Sequence, residues 1–104
     1  MKVKRLGSFG IDTGQFIICD PAYLGTWKDN EFNLKENAVG EFSYSGACST
    51  SLAGGGSLVN KIGVRLAVVG NTGDGDGEYE VFAHIDKEGR TRKITVTFGE
   101  EDNS

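Results

Sequence analysis

A chain of 104 residues, 38% hydrophobic and 25% charged, has room for one ordinary globular domain and enough apolar content to exclude wholesale disorder. A net charge of −4 argues against binding to a nucleic-acid backbone, which needs clustered Lys and Arg to displace counterions. No apolar run approaches the roughly 20 residues that span a bilayer, and the stretch after Met1 is broken by Gly7 and Gly10, unlike a signal peptide, so a cytoplasmic location is expected.

Val3 to Ile11 and Gln15 to Cys19 read as two strands of a hairpin, joined by the turn triplet Asp12-Thr13-Gly14. Asp20-Pro21 then places a side-chain acceptor before a residue with fixed φ, which opens a short helical turn that Gly25 would close. Trp27 to Asn37 is polar and without a clean period, and reads as irregular. Gly40 to Tyr44 and Ala47 to Leu52 read as a strand pair around Ser45-Gly46, followed by a flexible Gly54-Gly55-Gly56 run. Gly63 to Gly70 is nearly all apolar and reads as a central strand buried on both faces. Tyr79, Val81, Ala83 and Ile85 alternate with Glu78, Glu80, Phe82 and His84, and Ile94, Val96 and Phe98 alternate with Lys93, Thr95 and Thr97. With Gly89 suited to a left-handed turn position, these two runs predict a β-hairpin. Residues 100–104 form a short acidic tail behind a single domain of residues 1–99. The expected architecture is all-β: a small β-sandwich or partly open barrel of six or seven mainly antiparallel strands with one short helical turn.

Several constellations bear on chemistry. Asp12-Thr13-Gly14 is similar to the turn that supplies the catalytic carboxylates of aspartic proteases. Retroviral-type proteases are homodimers of similar length, with a Gly-rich flap and a later apolar-apolar-Gly segment; Gly54-Gly55-Gly56 and Val68-Val69-Gly70 fall in that order, which would make Asp12 of each subunit the catalytic pair. Against this, Gln15 follows the triplet where that family usually has Ala or Ser, and no C-terminal helix follows Gly70. Asp74, Asp76 and Glu78 concentrate carboxylates in a glycine-rich loop, the donor type of a hard-cation site, although the spacing fails the EF-hand pattern. Cys19 and Cys48 are expected as reduced thiols; with His84 and Asp20 they would form a zinc set only if the fold assembled it. Cys48 with His84 is the minimum for a thiol nucleophile and its base. Tyr23 and Trp27 could wall a ligand or fill the core. The basic clusters Lys2, Lys4, Arg5 and Arg90, Arg92, Lys93 read as solvated faces.

Ile11 to Tyr23, with its D-[ST]-G-Q, apolar, C-D-P-x-Y pattern, resembles a group of small uncharacterised bacterial and phage proteins. Phe42 to Cys48 and Gly75 to Val81 look similar to two further pieces of the same group. The resemblance covers most of the chain, implies no activity, and offers a competing explanation of Asp12-Thr13-Gly14.

The reading that follows is a non-enzymatic binding domain whose loops gather at one end of the sheet. Its ligand-binding residues are Asp12, Thr13, Gln15, Asp20, Tyr23, Trp27, Arg65 and Tyr79. The partner is a small polar ligand, with a nucleotide-type compound as one version, its phosphates meeting Arg65 or the Arg90 to Lys93 cluster; alternatively it is a protein, and homo-oligomerisation is open. No cofactor is implied. The competing class is an enzyme, either a homodimeric aspartic protease using Asp12 or a metal-assisted hydrolase using Asp74, Asp76 and Glu78. A third reading is an immunity-type protein whose acidic surface caps a basic partner.

Overall fold

The computed structural model describes residues 1–73 and 75–98. It is mostly β. Six strands form two three-stranded antiparallel sheets: β1 (Lys2–Ile11), β5 (Gly77–Ile85) and β6 (Thr91–Val96) in the order β1-β5-β6, and β2 (Gln15–Cys19), β4 (Arg65–Asn71) and β3 (Gly56–Val59) in the order β2-β4-β3. A 3-10 helix (Pro21–Thr26) and an α-helix, α1 (Tyr44–Leu52), complete the regular structure. No helix among the described residues is long and apolar enough to cross a membrane. The chain divides into two compact units, residues 15–71 and residues 1–14 with the chain from 72 onward. Asp74 and the acidic tail at 100–104 lie outside the described residues.

In the unit of residues 15–71, β4 is the central strand, as its apolar run predicts. Leu66, Ala67, Val69 and Gly70 are buried, but Val68 is half exposed, so the burial of both faces is incomplete. The expected β1–β2 hairpin is not formed. β1 pairs with β5 and β2 with β4, so the residues on either side of Asp12-Thr13-Gly14 enter different sheets. Alternation marks a strand but not its partner, which register and face burial across the whole chain select.

The expected strand pair at 40–52 is also corrected. Residues 44–52 are α1, capped by Ser43, whose Oγ accepts the Gly46 amide at 2.8 Å. Its buried face consists of Ser45, Gly46, Ala47, Thr50 and Ser51, which has helical spacing but almost no hydrophobic signal. Gly54-Gly55 is no flexible linker: the Gly55 amide donates to the Thr50 carbonyl and the Gly54 amide to that of Ser51, the Schellman closure of α1, with both glycines at positive φ. Ser43→Ala should destabilise this unit by about 1–2 kcal/mol, read from urea denaturation followed by Trp27 fluorescence. The core here is Phe42, Ala47, Leu58, Leu66, Ala67 and Val69, with Cys19 and Trp27 packed against it.

In the other unit, Ala83 is fully buried and Phe9, Tyr79 and Phe98 form a chain of ring contacts, with centroids 6.4 and 5.1 Å apart. The β5–β6 hairpin forms as expected, with Gly89 at φ +82°. Asp86 organises its loop: Oδ1 accepts the Glu88 and Arg90 amides, and Oδ2 accepts Arg90 Nε and Arg92 Nε. These donors, the Arg90 amide first, outweigh desolvation and hold the Asp86 carboxyl below its ordinary range. The folded chain therefore resists protonation of Asp86. The stabilisation is complete above the ordinary aspartate value and fades as pH falls through the depressed one, so hairpin amide protection, taken relative to the intrinsic exchange rate at each pH, should fall below about pH 4.

Candidate functional site

Asp12 and Thr13 are exposed on a turn that ends at Gly14, φ +65°. The Gly14 carbonyl accepts the Thr72 amide at 3.0 Å and Thr72 Oγ1 at 3.4 Å, which ties this turn to the start of the acidic loop. That loop is closed from within, because the Gly75 carbonyl accepts Thr72 Oγ1 at 2.7 Å and the Tyr79 hydroxyl at 3.0 Å. Tyr79 is thus committed to the loop. Glu78 accepts Ser8 Oγ at 2.7 Å, while Asp76 is exposed. Among the described residues, no group of three or more His, Cys, Asp or Glu side chains could hold a metal ion.

Two other arrangements read from the sequence take different forms. Gly54-Gly55-Gly56, which stands where a protease flap would fall, is the exit of α1 and the first residue of β3. Cys48 and His84 belong to different units, and His84 Nε2 is bonded to Thr95 Oγ1 at 2.7 Å. The basic run at 90–93 is partly spent as well, with Arg90 and Arg92 both on Asp86.

The remaining candidates lie in the unit of residues 15–71. Gln15 donates Nε2 to Cys48 Sγ at 3.4 Å and accepts Ser51 Oγ at 3.0 Å, and Asn71 Nδ2 donates to the Ser51 carbonyl. This polar seam joins α1 to the sheet. Tyr44 lies one turn before Cys48 on α1; interaction with the Cys48 side chain first, then burial and the charge of Asp29, hold the phenol above its ordinary range. Cys19 and Cys48 are free, half-buried thiols. Asp20 caps the 3-10 helix as expected, accepting the Ala22 amide at 2.9 Å. Tyr23 is exposed on that helix. Trp27, at its C-terminal end, meets Phe42 edge to face at 5.1 Å and 82°. Arg65 is exposed opposite Val59 in the β3–β4 register.

Close to Trp27 and Arg65 in sequence and register is a hollow of about 260 Å³ that sequence reasoning missed. Phe42, Leu66 and Val59 give it an apolar floor; Lys28, Lys61, Glu41 and Asn60 surround it, with Thr26 beside them. Four chain segments build it. Lys28 lies in an isolated parallel bridge with Ser43, and Glu41 in another with Val59. Asn60 holds the turn that carries Lys61: its Oδ1 accepts the Ile62 and Val64 amides at 3.1 and 2.9 Å. The one local signal was Asn60 to Gly63, a turn-type sequence between apolar neighbours. The other walls meet only through long-range pairing. No family model matches this chain, and neither a curated protein nor a solved structure is found to be similar to it.

Proposed function

We propose that this chain is a non-enzymatic binding domain of the bacterial and phage type implied by its sequence resemblance, and that it takes a small polar ligand in the hollow bounded by Phe42, Asn60 and Leu66. The hollow carries this reading, because it combines a fixed apolar floor with a few polar groups around it. Its volume falls just below the range of about 300–1,000 Å³ usual for drug-sized ligands, which favours a compact occupant. Trp27 contributes by bracing Phe42, and Arg65 lies one residue from the wall residue Leu66. The free thiols of Cys19 and Cys48 suit a reducing, intracellular setting.

The enzymatic readings have weaker support. Against the metal-assisted hydrolase, Glu78 and Tyr79 are engaged in holding their own strand and loop. The test is a titration of isotopically labelled full chain with a library of small metabolites, followed by amide shifts. Binding in the hollow moves Phe42, Val59, Asn60 and Leu66 together. Shifts confined to Asp12–Gly14 and Asp76–Tyr79, or peptide cleavage that Asp12→Asn abolishes, would overturn the reading.

A further inference from the structure

We infer that two copies of this chain associate through the free edge of β2, residues 15–19 of each running antiparallel about a two-fold axis at Ile17. The inference stands apart from the hollow, to which β2 contributes no residue.

A sheet edge leaves alternate backbone N–H and C=O groups without a strand partner, and chains that stay monomeric block such edges with charge, bulges, short length or cover. Among the described residues the two sheets have four edge strands, and three of them are blocked. β1 carries Lys2, Lys4 and Arg5 and breaks register between Arg5 and Gly7. β6 carries Arg92 and Lys93, and its pairing shifts between His84 and Ile85. β3 has only four residues, and Glu41 already bridges Val59, whose amide donates to the Gly40 carbonyl at 2.7 Å. β2 has none of these devices. Gln15-Phe16-Ile17-Ile18-Cys19 contains no charge and no proline, and it pairs with β4 alone, in unbroken register.

This edge is also apolar on both faces. Gln15 bonds to Cys48 and Ser51 of α1, so Ile17, two residues on, shares the face that α1 covers. Ile17 is nevertheless 43% exposed. On the opposite face Ile18, 67% exposed, stands beside Val68, 48% exposed.

The pattern of the strand selects a second copy as the occupant. A two-fold axis normal to the sheet keeps every side chain on its own face, so the axis must pass through a residue and not between two. Centring on Phe16 would set Asp12 toward the partner's Asp20, and centring on Ile18 would set Phe16 opposite the partner's Asp20. Centring on Ile17 pairs all of 15–19: Ile17 with the partner's Ile17, Phe16 with the partner's Ile18, and Gln15 with the partner's Cys19. Asp20 then falls opposite the partner's Gly14. Apolar residues meet apolar residues and no like charges face each other. The two β2-β4-β3 sheets become one sheet of six strands, with both α1 helices on the same face and the paired Ile17 side chains between them. Five residues a side is well below the roughly 20–30 of a standard interface, so the dimer should be weak, with a dissociation constant on the order of 10–100 μM.

Sedimentation equilibrium of the full chain over a range of concentrations tests this, with amide exchange locating the contact. The chain should pass from monomer to dimer, and alternate amides of 15–19 should gain protection as concentration rises, while those of β1 and β6 do not. Ile17→Lys, which sets two ammonium groups opposite each other, should weaken the dimer roughly tenfold or more. Mixing Ile17→Lys with Ile17→Glu should restore it, because the introduced charges then face one another. Ile94→Lys, at a site 59% exposed on the charged edge β6, should leave the dimer unchanged. Circular dichroism and Trp27 fluorescence check that each variant is folded, and Ile18→Lys, opposite the partner's Phe16, serves should Ile17→Lys fail to fold. A monomer up to about 1 mM, or a dimer indifferent to both β2 variants, overturns the inference. A dimer that the mixture does not restore overturns the Ile17-centred register. A chain that stays monomeric but gains the same amide protection from an added foreign peptide overturns the second copy as the occupant.

Discussion

Gly46→Ala should be among the most damaging single substitutions in the chain, lowering stability by about 3 kcal/mol or more, the upper end of what overpacking costs. Gly46 lies in the first turn of α1, where a Cβ would overlap the Glu41 carbonyl oxygen and sit 2.6 Å from its carbon. The obstacle is backbone rather than a side-chain tip, so it cannot swing away. Relief requires moving either α1 or the Glu41 segment, and that segment also borders the hollow and bridges to Val59. The substitution should therefore lower the urea midpoint seen by Trp27 and broaden the amide signals of 40–46. Gly25→Ala is the control. A Cβ there meets nothing within 4 Å, and its effect should stay within about 0.5 kcal/mol, as at other unconstrained surface positions. Equal midpoints for the two variants would show that α1 does not approach Glu41 so closely.

Leu58→Ala should cost about 2–5 kcal/mol, the range for emptying a fully buried leucine site. Leu58 has no exposed surface; it pairs with Ala67 on β4 and belongs to the cluster of Phe42, Ala47 and Val69 under α1. Its neighbours include Ala47 and Ala67, which are too small to close a cavity by changing rotamer. The loss should consequently fall toward the upper part of the range. Against a total stability of about 5–15 kcal/mol for an ordinary domain, that is a large share. Thermal and urea unfolding read by far-ultraviolet circular dichroism and Trp27 fluorescence checks it. Leu58→Val should recover most of the loss, which separates cavity formation from a general intolerance of change on β3.

The hairpin around Gly89, the central position of β4, the Asp20 cap with Pro21, and the irregular course after Trp27 were all legible in the sequence. Each is decided locally. Two-residue alternation, a continuous apolar run, a capping side chain and a turn glycine act within a few residues, so the sequence carries them directly. Tertiary structure alone decided three other things. β1 and β2 took partners 48 or more residues away instead of each other, because strand edges are interchangeable until the faces they bury are chosen. Residues 44–52 became a helix whose inner face is built from Ser, Gly, Ala and Thr, close-packed through small size and hydrogen bonds, so hydrophobic periodicity could not reveal it. The Gly54-Gly55 pair then became its cap. The hollow was hidden for a related reason: Lys28, Glu41, Asn60 and Leu66 come from four segments, and nothing in any one of them says that the other three are near. Local chemistry wrote the elements of this protein, while long-range pairing, which depends on burial summed over the whole chain, placed the residues that the proposed site requires.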